Sequence, residues 1–191
     1  MTRSTNHGMP SWRYREIDRT AVDFLAGFNL THMPISGFEL AQLMGITISA
    51  YPKHECAKRD AMMAISEDAF TVTSKDGTTI FYNDGPSYER INFSLMHEIC
   101  HIVLGHREHS RLAEKEVNHM AGYMLASPIL IETLHISSTE ELSQQCHISL
   151  QCARYRMRHY QGWRSHLVYN GQKLLPHERK LLKIIRTTQS A

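Results

Sequence analysis

The sequence lacks any apolar run approaching the roughly 18–20 residues that a membrane span needs, so no membrane partner is expected. Its opening stretch, MTRSTNHGMPSWRYREIDRT, has no apolar h-region, and no secretory signal is expected there. The four cysteines (Cys56, Cys100, Cys146 and Cys152) lack C-x-x-C spacing. That argues against a disulfide framework and reads as unpaired thiols of a reducing compartment. Internal repeats and low-complexity segments are missing too. From these absences a cytoplasmic protein is expected. What is present is ordinary for a globular chain of 191 residues, with 42% apolar and 21% charged residues. That length suits one domain with a real core and a small appendage.

The net charge of +2 hides an asymmetry. Residues 151–191 hold nine Lys/Arg against one acid, Glu178, a balance of +8, whereas the preceding residues hold 12 Lys/Arg against 18 Asp/Glu, a balance of −6. An acidic body with a basic tail reads either as two surfaces with different partners or as a solvated helix face.

Apolar spacing predicts a helix from Ile17 to about Phe28 and a short one over FELAQLMG, closed by Gly45. ITISAY reads as a short strand. Residues 69–83, AFTVTSKDGTTIFYN, carry the clearest β signal, with Lys75-Asp76-Gly77 as the hairpin turn. Helices are expected from about Tyr88 to His106, from about Ser110 to Leu125, after the capping box Ser138-x-x-Glu141, from Ser149 to about Tyr160, and from near Pro176. The fold class is therefore α+β: a small mixed or antiparallel sheet packed on helices, plus a C-terminal helical segment. The expected division is 1–135 for the core and 136–191 for the basic, helix-turn-helix-like segment.

The chemistry is concentrated in LMHEICHIVLGH, residues 95–106, which contains the pattern H-E-x-x-H. Residues four apart on a helix share a face, so His97 and His101 can reach one metal ion. Glu98 is turned about 100° away, which puts it beside the ion as a base rather than on it as a ligand. With 13 His and as many Glu, roughly 0.06 chance matches are expected, so the motif alone is a moderate signal. A catalytic zinc needs a third protein ligand and leaves a fourth position open. AEKEVNHMAGYM offers Glu114, with Glu116 as the rival. Glu114 is favoured because Asn118, four residues on, shares its face and can orient a ligand histidine. The metzincin pattern is not met, because Leu104 and Arg107 stand where it needs glycine and histidine. His106 and His109 then read as surface histidines. Tyr82 and Tyr88 are the nearest tyrosines in sequence for an oxyanion role, and the strand Thr78–Tyr82 could hold an extended substrate.

IFYNDGPSYERINFSLMHEICHIVLGH followed by EKEVNHMAGYMLASP resembles the ImmA/IrrE family of gluzincin-like metallopeptidases. The resemblance is strong over residues 79–128 and extends weakly from about Phe24 to Arg158. It implies a zincin-type H-E-x-x-H helix, with His97, His101 and Glu114 as Zn2+ ligands, Glu98 as the base and Asn118 in support. The implied activity is hydrolysis of a peptide bond in a regulatory protein, a DNA-binding helix-turn-helix repressor. Cys100 and Met120 depart from the glycine and phenylalanine usual in the family, and Cys100 would bring a thiol near the metal.

A competing reading comes from STEELSQQCHISLQCARYRMRHY, which has helix-turn-helix rhythm, with Ile148 in the turn and Arg154, Arg156 and Arg158 in the second helix. It makes the chain a DNA- or repressor-binding module with a non-catalytic metal site. A third reading is a mobile-element or toxin–antitoxin accessory that depends on a partner.

Overall fold

The computed structural model describes residues 9–106, 108 and 110–189. In chain order the elements are α1 (Ser11–Leu25), α2 (Gly37–Leu43), β1 (Thr47–Ala50), α3 (Cys56–Ile65), β2 (Ala69–Ser74), β3 (Gly77–Tyr82), α4 (Tyr88–Leu104), α5 (Arg111–Leu125), α6 (Pro128–Thr133), α7 (Thr139–Gln145), α8 (Leu150–Tyr169) and α9 (Pro176–Gln189). The fold is α+β, as expected. No helix among the described residues is long and apolar enough to cross a membrane.

The sheet is mixed and ordered β1-β3-β2. β1 runs parallel to β3, with Ile48 opposite Ile80, and β2 runs antiparallel to it, with Thr71 opposite Ile80. β3 is thus the central strand and both its edges are taken. The expectation that Thr78–Tyr82 could add a substrate strand is corrected for this reason. β1 and β2 are the two outer strands, each paired only with β3 among the described residues.

The helices follow local signals. Ser36 opens α2 through a capping box with Glu39, while Ser110, Ser127, Ser138 and Ser149 accept from the third residue of the helices they precede. In α4, Asn92, Leu95, Met96, Ile99 and Cys100 form the buried stripe. α2 crosses α4 at Gly37, where a β-carbon would lie 2.8 Å from the Asn92 carbonyl oxygen and 2.9 Å from Met96 N, so only glycine fits. α5 is buried along almost its whole length, from Glu116 to Leu125 apart from Asn118. It packs against α1, α4 and α8.

α3 and α6 escape the sequence reading for opposite reasons. α3 buries none of its residues and so shows no core stripe. α6 buries Pro128, Ile129, Leu130 and Ile131 in succession, a run without helical period.

The expected boundary at 135/136 falls between α6 and α7, and residues on both sides of it contribute to one buried apolar cluster. Asn92, fully buried on α4, ties the two parts together. Its Oδ1 accepts from Gly37 N at 2.7 Å and its Nδ2 donates to the His147 carbonyl at 2.9 Å. α7 and α8 pack against each other, with Leu142, Ile148 and Ala153 fully buried. However, Arg156 on α8 is also buried, so the three arginines do not form one surface stripe.

Candidate metal centre

α4 and α5 bring His97, His101 and Glu114 together, with one ligand atom from each lying within 4.8 Å of the others. The two histidine Nε2 atoms are 3.1 Å apart. Glu114 Oε2 is 3.3 Å from His97 Nε2, and its Oε1 is 3.3 Å from His101 Nε2. Atoms bound tetrahedrally at about 2.0–2.1 Å from an ion are separated by about 3.3 Å, so the spacing suits such an ion. The group can hold a metal ion.

The outward nitrogens of both histidines support this use. His97 Nδ1 lies 3.2 Å from Asn118 Oδ1. The amide oxygen is an acceptor, so the ring proton sits on Nδ1 and leaves a lone pair on Nε2. His101 Nδ1 lies 3.4 Å from His106 Nδ1, and His106 Nε2 lies 3.1 Å from Glu116 Oε2. With the carboxylate accepting from His106 Nε2–H, His106 Nδ1 becomes the acceptor for His101 Nδ1–H, and His101 Nε2 is also free of a proton. Glu116 is held in turn by Arg13 of α1, through Nε to Oε1 at 2.6 Å and Nη2 to Oε2 at 2.8 Å. The hydrogen bond from Arg13 is the main cause holding the Glu116 carboxyl below its ordinary range. Burial opposes the shift and the His106 contact adds to it.

These contacts separate the two candidate glutamates. Glu114 faces the histidines, whereas Glu116 is committed to Arg13 and His106. The reading of His106 as a surface histidine is corrected, since its side chain is only 15% exposed. Gly105 explains its position. At φ 68° it ends α4 in the left-handed region, and His106 N then donates back to the His101 carbonyl at 3.1 Å. His109 lies outside the described residues.

Glu98 is 8% exposed and its Oε2 accepts from Thr71 Oγ1 at 2.6 Å. Period-two alternation turns Ala69, Thr71 and Thr73 of β2 toward α4, where all three border a cleft of about 930 Å³ shared with His97, Glu98 and His101. Tyr82 and Tyr88 do not line this cleft. Both rings pack against Phe38 of α2 instead.

Cys100 does not reach the cleft either. It is fully buried, its Sγ lies 3.8 Å from Met124 Sδ, and burial pushes its thiol pKa up. The expectation of a thiol near the metal is corrected. Its offset around α4 carries it onto the side facing α5, among the core residues.

Sequence reasoning missed Thr71, His106 and Arg13. Alternation within β2 could have marked Thr71 as facing the motif helix, and the glycine before His106 could have marked a turn back toward it. Nothing local points from Arg13 to Glu116. No family model and no curated protein matches the chain.

Proposed function

We propose that this chain is a zinc-dependent metallo-endopeptidase of the kind its sequence resembles, acting on a specific regulatory protein, a helix-turn-helix repressor. The observation that carries the reading is the convergence of His97, His101 and Glu114 with Glu98 beside them on an open cleft. Two histidines and one carboxylate are a donor set suited to zinc, with a fourth position left for water or substrate. Zinc held there would supply Lewis-acid activation of water and of a peptide carbonyl.

The protein's own groups supply the rest. Glu98, fixed by the Thr71 hydroxyl, takes the proton released from the attacking water and returns it to the leaving amine. Asn118 and the Arg13–Glu116–His106 chain hold the two imidazoles in their ligand tautomers. β2 borders the cleft and is an outer strand, so an extended peptide can lie along it and gain backbone hydrogen bonds.

Zinc-loaded protein incubated with the repressor of its own locus should yield discrete fragments. Glu98→Gln should keep its zinc and give none. Cleavage undiminished in that variant would sink the mechanism. A tight, sequence-specific complex of the free protein with DNA and no cleavage would favour the DNA-binding module instead.

A further inference from the structure

Beyond Phe93 and Asn118, helices α1, α5 and α8 line a second, open cavity. It has two lobes of about 630 and 820 Å³ that share Tyr14, His119, Tyr155, Arg156 and Arg158. Among the described residues, two buried side-chain atoms have no hydrogen-bond partner: His119 Nδ1 and Arg156 Nη1. Both belong to residues that line both lobes.

Arg156 is 1% exposed. Its Nε donates to the Ala126 carbonyl at 2.8 Å, and its guanidinium lies 6.0 Å from the Tyr123 ring centre. A guanidinium stays charged even when buried, and buried charges are normally paired. Arg13, Arg59 and Arg90 each meet a carboxylate. Arg156 forms no ion pair among the described residues. His119 is 7% exposed, and its Nε2 is engaged with Asp18 Oδ1 at 2.7 Å.

The acids around the cavity are already in use. Asp18 is on His119, and Glu178 accepts from Trp163 Nε1 and Leu175 N. Glu89 is drawn below its ordinary range mainly by Ser87. The larger lobe also receives the first turn of the 20-residue helix α8 at Gln151 and Cys152, where backbone N–H groups favour anions. His159, on the smaller lobe, is pushed down to about 4, first by burial and then by the charge of Arg156.

We propose that this cavity is a binding site for a phosphate group, held by Arg156 and His119 with Arg158 at its mouth. Phosphate fits better than carboxylate because of His119. With Nε2–H given to Asp18, Nδ1 is an acceptor and needs an O–H. A hydrogen phosphate offers that O–H and still has oxygens to accept from Arg156, whereas a carboxylate has only acceptors. The group can arrive on a free small molecule or on a phosphorylated side chain. The site is distinct from the metal trio, and its test does not depend on catalysis.

Calorimetric titration of the full chain with inorganic phosphate, at constant ionic strength, should show one saturable site below about 10 mM. Acetate should show none. Arg156→Met keeps the apolar stem and should lower phosphate affinity at least about tenfold. Arg158→Gln, an exposed change that leaves the core alone, should lower it less. A phosphoserine peptide binding tighter than phosphate and than its unphosphorylated form assigns the group to a protein. A peptide no tighter than phosphate assigns it to a small molecule. Absence of saturation by phosphate or phosphopeptide, an equal response to acetate, or unchanged binding in a folded Arg156→Met protein overturns the proposal. Should that variant fail to fold, the NMR signals of His119 in the wild type decide. They must shift with phosphate and not with acetate.

Discussion

Arg13 and Glu116 form a two-toothed ion pair across 103 residues of sequence, with N···O distances of 2.6 and 2.8 Å. The pair joins the first helix to α5 and orients His106, whose other nitrogen faces the metal-site histidine His101. One end of the chain thereby helps set the protonation pattern at the site.

Loss of that support should weaken the metal site without abolishing it. Contacts that orient a ligand histidine are typically worth about 10–100-fold in metal affinity. Glu116→Gln and His106→Phe are expected to fall in that range in a zinc competition titration, while Glu114→Ala and His101→Ala lose stoichiometric zinc. If Glu116→Gln lost zinc outright and Glu114→Ala kept it, the assignment of the third ligand would be wrong.

The Thr71–Glu98 contact makes a separable prediction. Thr71→Val keeps the shape of the side chain and removes the hydroxyl that holds Glu98, the proposed base. Zinc affinity should stay at the wild-type value, and turnover should drop by about tenfold with little change in KM. An equal fall in zinc content would mean that Thr71 supports the fold of the site rather than the base.

Acid should act on the Arg13–Glu116 pair with a definite sign. The carboxyl is held below its ordinary range in the folded protein, so its contribution is fully present above the unfolded value of about 4.3. It is lost as pH falls through the lower folded value. Thermal melts from pH 6 down to about pH 3 should therefore converge for wild type and Glu116→Gln. His159 acts over a higher window. Its folded value of about 4 lies below the ordinary imidazole value, so the unfolded chain binds the extra proton between about pH 6.5 and pH 4 and stability drops across that range. His159→Leu should flatten that part of the profile; an unchanged slope would show that burial of this ring is not its cause.

Cys100 should be redox-silent. Its thiol is buried against Met124 and held protonated, whereas oxidation needs an accessible thiolate. Wild type and Cys100→Gly should lose activity at the same rate in peroxide. Faster loss in the wild type would show that α4 opens enough to expose the thiol.

Charge reversal on α8 must now treat its arginines separately. Arg154 and Arg158 are exposed, and exchanging them for glutamate should leave stability nearly unchanged while weakening salt-dependent encounters with an acidic partner or with DNA. Arg156→Glu would place an acid in the core and should lower the melting temperature sharply. Equal melting temperatures for all three variants would contradict the burial of Arg156.

Much of this protein was legible without a structure because the signals are local. Helical period placed α4 and α5, an Asp-Gly turn placed the β2–β3 hairpin, and serine caps placed α7 and α8. The four-residue spacing put His97 and His101 on one helix face, and the same spacing singled out Glu114 together with Asn118. The tertiary structure decided what depends on distant pieces of chain meeting. It made β3 the central strand, so that β2 rather than β3 borders the cleft, and set Thr71 against Glu98. It turned Arg156 inward, away from the other arginines of its helix, and it gave Glu116 to Arg13. Periodicity reports which residues share a face, because that follows from backbone geometry within one element. It carries no information on which face meets which, because that is fixed by packing between elements far apart in sequence.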